Sequence, residues 1–112
     1  MGERGATQQP ATPDDIADMA DLARDAVEAG ALGFTTSRTL NHKSSLGEPT
    51  PSLTAEADEL VGIAQALGSA GTGVLQVVSD FIDLDGEIEL FHEMAAQSGR
   101  PISVSIAQAP RR

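Results

Sequence analysis

Along the chain, stretches with apolar residues every three or four positions alternate with short β-favouring runs, the pattern of helices alternating with strands. The first periodic stretch places Ile16, Met19, Ala20, Ala23, Ala26 and Val27 on one face, with Asp18, Asp21, Arg24, Asp25 and Glu28 on the others. Its start is marked by Thr12 as N-cap, Pro13 at the first helical position and Asp15 where a capping box puts its acidic partner. Gly30 supplies the stop. Ala31 to Thr36 then reads as a strand. Residues 37 to 53 follow as a long polar loop broken by Gly47, Pro49 and Pro51. A second helix is predicted from about Thr54 to Leu67, with Leu60, Val61, Ile63, Ala64 and Leu67 inward and Gly68 near its end. Gly73 to Ser79 is apolar enough for a strand buried on both faces. A third helix spans about Asp85 to Ser98, with Ile88, Phe91, Met94 and Ala95 inward and Gly99 at its end, and Pro101 to Ala107 forms the third strand.

This order predicts an α/β fold with a parallel sheet. Strand centres near Phe34, Val77 and Val104 lie roughly 43 and roughly 27 residues apart, and a βα repeat of an eight-fold barrel takes roughly 30. The first spacing is that repeat lengthened by the long loop. The expectation is a partial (β/α)8 TIM-barrel segment of about three parallel strands alternating with three helices, an open doubly wound sheet being the alternative. The segment would occupy 12–108, after an irregular lead-in at 1–11 and before a tail at 109–112. At 112 residues the chain is too short for a closed barrel, which takes roughly 250.

Composition narrows the function. A net charge of -10 with three Phe and no Trp or Tyr argues against nucleic acid, which selects basic patches and stacking aromatics. No apolar run is long enough to suggest a membrane span, and the Met-Gly-Glu-Arg start shows no signal-peptide h-region, so a cytoplasmic location is the expectation. With no cysteine there is neither a thiolate metal site nor a Cys nucleophile.

In either architecture ligands collect at the carboxyl ends of the strands. That singles out Ser37, Arg38, Thr39 and His42 after the first strand, Ser79 and Asp80 after the second and Gln108 after the third. Arg38 offers a fork for a carboxylate and His42 a donor to an anion or carbonyl; the alternative for Arg38 is a pair with a local Asp on a solvated loop. The acidic run from Asp80 to Ile88 fails as a calcium loop, because an alignment on Gly86 puts Phe81 first and His92 twelfth. Acidic residues at the positive end of the third helix account for it. Gly68, Gly71 and Gly73 follow a helix and precede a strand, the reverse of a phosphate loop. His42 and His92 are about 50 residues apart, in no His-x-His or His-Glu-x-x-His pair, and no G-x-S-x-G elbow occurs. No metal ligand or catalytic residue is assigned.

The stretch from Glu28 to Thr39 (EAGALGFTTSRT), followed by His42, Gly47-Glu48-Pro49 and Ser52, resembles the "GA-x-GF-(S/T)-TSRT … H … GE-x-x-P" segment of metal-dependent amidohydrolases of the N-acyl-D-amino-acid deacylase (D-aminoacylase-like) type. Asp58-Glu59-Leu60, Ala66-Leu67-Gly68, Gly73 to Gln76, Gly99-Arg100-Pro101 and Ala107-Gln108 continue the likeness, which covers most of the chain. The resemblance implies a (β/α)8 barrel with zinc or another divalent metal, hydrolysing a non-peptide carbon–nitrogen amide bond of an N-acyl amino acid through metal-activated water. It implies a substrate-loop character for Ser37, Arg38, Thr39 and His42. The family's His-x-His pair lies upstream of this segment and its catalytic Asp downstream. A metal-binding His in the strand matching Gly73 to Ser79 is replaced here by Val77 and Val78. The expectation is therefore an internal fragment, from a truncated product or an internal start, without a cofactor of its own and inactive alone; the parent would bind the small-molecule substrate. The alternative is a stand-alone α/β binding or interaction module, self-associating through exposed strand edges.

Overall fold

A computed structural model describes residues 1–107; the expected tail and Gln108 lie outside the described residues. Three parallel strands, β1 (Gly33–Arg38), β2 (Val74–Ser79) and β3 (Ile102–Ser105), form one sheet in the order β1-β2-β3. Four helices accompany them: α1 (Glu3–Ala6), α2 (Pro13–Glu28), α3 (Ala57–Ala70) and α4 (Leu84–Ser98), with a 3-10 turn over Pro51–Thr54. The mixed α/β class and the parallel sheet expected from the sequence are present.

Register decides which side chains share a face. Phe34 pairs with Leu75, Thr36 with Val77 and Arg38 with Ser79, while Ile102 and Val104 stand beside Leu75 and Val77. This parity points toward the helices: Leu75 and Val77 are buried against Leu60, Val61, Ala64, Leu67, Leu90, Phe91 and Met94. Helix α3 lies between α2 and α4, so the three long helices form one layer. The opposite parity, Thr35, Ser37, Val74, Gln76, Val78, Ser103 and Ser105, has no layer over it among the described residues. Thr35, Ser103 and Ser105 are exposed there, and Val74 is 42% exposed. The expectation that the second strand is buried on both faces is thus corrected, because only its Leu75, Val77, Ser79 side is covered. On the open face Thr35 donates to Gln76 Oε1, and Gln76 Nε2 donates to Ser105 Oγ at 2.9 Å.

The capping box forms as read: Thr12 accepts from the Asp15 amide, and the Asp15 carboxylate accepts from the Thr12 amide at 2.9 Å. Several boundaries differ, among them the third strand, which runs over Ile102–Ser105 and not Pro101 to Ala107, and the first, which begins at Gly33 and not Ala31. The first strand runs to Arg38, not Thr36, because Ser37 and Arg38 find ladder partners in Val78 and Ser79. Helix α3 starts at Ala57 and continues through Gly68 to a left-handed cap at Gly71. Within the lead-in, Glu3–Ala6 forms one helical turn, α1, held by Arg4, whose guanidinium makes hydrogen bonds of 2.9 and 2.7 Å to Asp15. No sequence periodicity announces a single turn fixed by a charge pair. Two glycines set close approaches. A side chain at Gly33 would run into the Val74 backbone, and a Cβ at Gly68 would sit 2.6 Å from the Ser98 carbonyl oxygen where α3 and α4 touch.

Candidate functional site at the strand mouth

The carboxyl ends of β1 and β2 carry two polar clusters, divided by strand parity. On the helix side Arg38 turns inward. Its Nε and Nη2 hold Glu87, with Nε at 2.9 Å and Nη2 at 2.8 Å from Oε1, and Nη1 donates to the Ala55 carbonyl at 2.7 Å. Ser79 Oγ donates to the same Glu87 carboxylate at 2.8 Å. The side chains of Arg38 and Glu87 are 14% and 12% exposed, so this is a largely dry, charge-assisted hub tying β1, β2, α4 and the 3-10 turn together. Arg38 is thus committed to a partner from α4, where the sequence offered either a substrate carboxylate or a local Asp.

On the open side, Ser37 Oγ and His42 Nδ1 lie 2.6 Å apart. Ser52 Oγ donates to the Ser37 carbonyl at 2.6 Å, tying the far end of the long loop to the strand. Thr39, almost fully buried, donates to Asp80 Oδ1 at 2.6 Å, and the Leu40 amide donates to Asp80 Oδ2 at 2.8 Å. These two donors, the Thr39 hydroxyl foremost, hold the Asp80 carboxyl below its usual range, with His42 adding a smaller electrostatic contribution. Next to it, Phe81 adopts a positive φ of 51°, a strained conformation at the rim.

Of the four residues singled out in the sequence, the structure brings Ser37 and His42 together, spends Arg38 on Glu87 and spends Thr39 on Asp80. Glu87 was missed as a partner. Its signal was the parity of Arg38, which falls in step with Phe34 and Thr36 and so points away from the open face. The long loop is also less irregular than its composition suggested, with a bridge between Lys43 and Pro49 and a turn closed by the Ser44 amide donating to the Glu48 carbonyl at 2.8 Å.

The arrangement suits binding better than acyl transfer. A serine nucleophile needs an oxyanion hole of free amides. Here the Leu40 amide is held by Asp80, the Asn41 amide by Thr39 Oγ1 at 3.2 Å and the His42 amide by the Thr39 carbonyl at 3.4 Å. Asp80 bonds the loop and not the imidazole. The Ser37–His42 contact fits either direction; when Ser37 donates to Nδ1, the imidazole proton lies on Nε2, a donor for a carbonyl or carboxylate.

Among the described residues no group of three or more His, Cys, Asp or Glu side chains is placed to hold an ion. Within the acidic run, Asp80, Asp83 and Glu87 are each engaged by protein groups: Asp80 by Thr39 and Leu40, Asp83 by the Gly86 amide as helix cap, and Glu87 by Arg38 and Ser79. Val77 is fully buried under the helices, and Val78 stands on the open face. No helix among the described residues is long and apolar enough to cross a membrane. No family model, no curated protein and no solved structure matches the chain.

Proposed function

We propose that this chain is a segment of an amidohydrolase-type (β/α)8 barrel, contributing a substrate-binding wall and loop but not the metal cage. The observation that carries the reading is the one-sided sheet. Strand order without reversal and helices on one face only fit a barrel wall better than a doubly wound sheet, which is covered on both faces. Ser37 and His42 sit at the carboxyl end of that wall, where barrel ligands bind. With Ser37 donating to Nδ1, the His42 Nε2–H is the donor that suits the carbonyl or carboxylate of an N-acyl amino acid. The family's zinc or other divalent ion does not fit the residues here, so no hydrolytic step is assigned to this chain.

Titrating the chain with N-acetyl-D-leucine, followed by amide and imidazole NMR shifts, tests this. Saturable shifts are expected at Ser37, His42 and Gln76, lost in His42→Ala, with no hydrolysis when zinc is added. An unchanged spectrum at these residues, or the same shifts in His42→Ala, would overturn the reading.

A further inference from the structure

Away from the strand mouth, on the helix side of β1, a cavity of about 390 Å³ opens between the lead-in, α2, the 3-10 turn and α3. This volume lies within the range of small-molecule sites. Its walls are apolar, formed by Met19, Phe34, Leu60 and Ile63, and residues 1–10 close one side. Of the polar side chains around it, Gln8, Ser52 and Thr54 are hydrogen bonded to protein partners and Gln9 and Glu56 are exposed, which leaves Thr36 from β1 and Glu59 from the first turn of α3. Among the described residues neither makes a side-chain hydrogen bond or ion pair, although Thr36 is buried and Glu59 half-buried.

The Glu59 carboxylate itself calls for a cation. Around it Arg38 adds positive potential and Asp15 and Glu56 negative, with Arg38 held by Glu87 and Asp15 by Arg4. A few convergent polar groups in an apolar hollow is the usual form of a ligand site, with the polar groups setting orientation. We propose that this cavity binds a small primary ammonium with an apolar body, its cation on the Glu59 carboxylate and its donor proton shared with the Thr36 hydroxyl. An ammonium supplies the charge-assisted hydrogen bonds that both side chains lack. A carboxylate ligand meets like charge, and a neutral alcohol leaves Glu59 without its counter-charge.

The experiment is a calorimetric and NMR titration with 2-phenylethylamine, beside 2-phenylethanol and 3-phenylpropionate, which share its ring and reach. Saturable binding of the amine is expected, with shifts confined to Thr36, Glu59 and the walls, and with the alcohol about tenfold weaker or worse. The acid should not bind. Glu59→Gln should weaken the amine about tenfold while leaving the alcohol unchanged. Burial pushes the Glu59 carboxyl above its ordinary value, so removing its charge does not cost the fold at neutral pH. Thr36→Val, close in shape, provides the second variant and should weaken the amine by a smaller factor. Absence of amine binding to the native chain, equal binding of amine and acid, or amine affinity unaffected by Glu59→Gln would each overturn the proposal.

Discussion

Arg38 shows how a single residue's role follows from parity. As the last residue of β1 it faces the helices, and three of its nitrogens reach Glu87 or a backbone carbonyl. Replacing it by Ala leaves Glu87 as a buried charge held only by Ser79. A loss of about 3 kcal/mol in denaturant unfolding is expected, within the range for breaking a buried pair, and Arg38→Lys should recover less than half because an ammonium cannot reproduce the fork. Equal stability of Arg38→Ala and the native chain would show that the hub contributes nothing. Asp80 carries the pH dependence of the loop. Its folded value lies below the unfolded carboxylate value of about 3.9, so its stabilisation is complete above that value and is lost as pH falls through the folded one. NMR titration of the Asp80 carboxyl should give a midpoint below about 3.9, moving upward in Thr39→Val. The sequence made Ser37, Arg38, Thr39 and His42 visible as a polar group at a strand mouth. It did not disclose that they divide between two faces, because the strand was expected to end two residues earlier.

At the scale of elements, the helices and strands were legible wherever local chemistry and burial agreed. Helix α2 has its capping box and proline, and β2 has its β-branched run. Helix α1 and the 3-10 turn were illegible because both depend on distant partners, Asp15 for the one and Arg38 and Ser37 for the other. The two kinds of signal predict different costs. Thr12→Ala removes one cap and should lower stability by about 1 kcal/mol without altering the fold. Gly33→Ala places a methyl against the Val74 backbone and should disrupt the β1–β2 ladder, seen as faster amide exchange along both strands. Unchanged exchange in Gly33→Ala would mean that the strands do not approach as closely as described.

The whole molecule exposes more surface than its mass requires. Its accessible area is 7135 Å², against roughly 5,800 Å² for a compact globule of this size. Part of the surplus is the open sheet face. Another part is an apolar groove beside β3, lined by Leu84, Ile88, Phe91, Ile102, Val104 and Ile106. Ile88 and Leu84 are each 53% exposed and Ile106 is 74% exposed. A barrel segment has such a groove where the next βα unit would pack. In the isolated chain, groove and β3 edge together should drive self-association, which Ile88→Lys reduces, as read by sedimentation at increasing concentration. A strictly monomeric native chain would contradict that expectation.

The one-sided sheet is the feature on which the barrel reading stands, and the absence of native cysteine makes it directly measurable. Single cysteines at Thr35 and Ser105 on the open face, and at Val77 on the helix face, can be timed for reaction with a water-soluble thiol reagent in dilute monomeric protein. Fast labelling of Thr35→Cys and Ser105→Cys, with Val77→Cys reacting only as the protein unfolds, is the predicted result. Equal protection at all three positions would mean that both faces are covered, and would contradict the barrel-segment account.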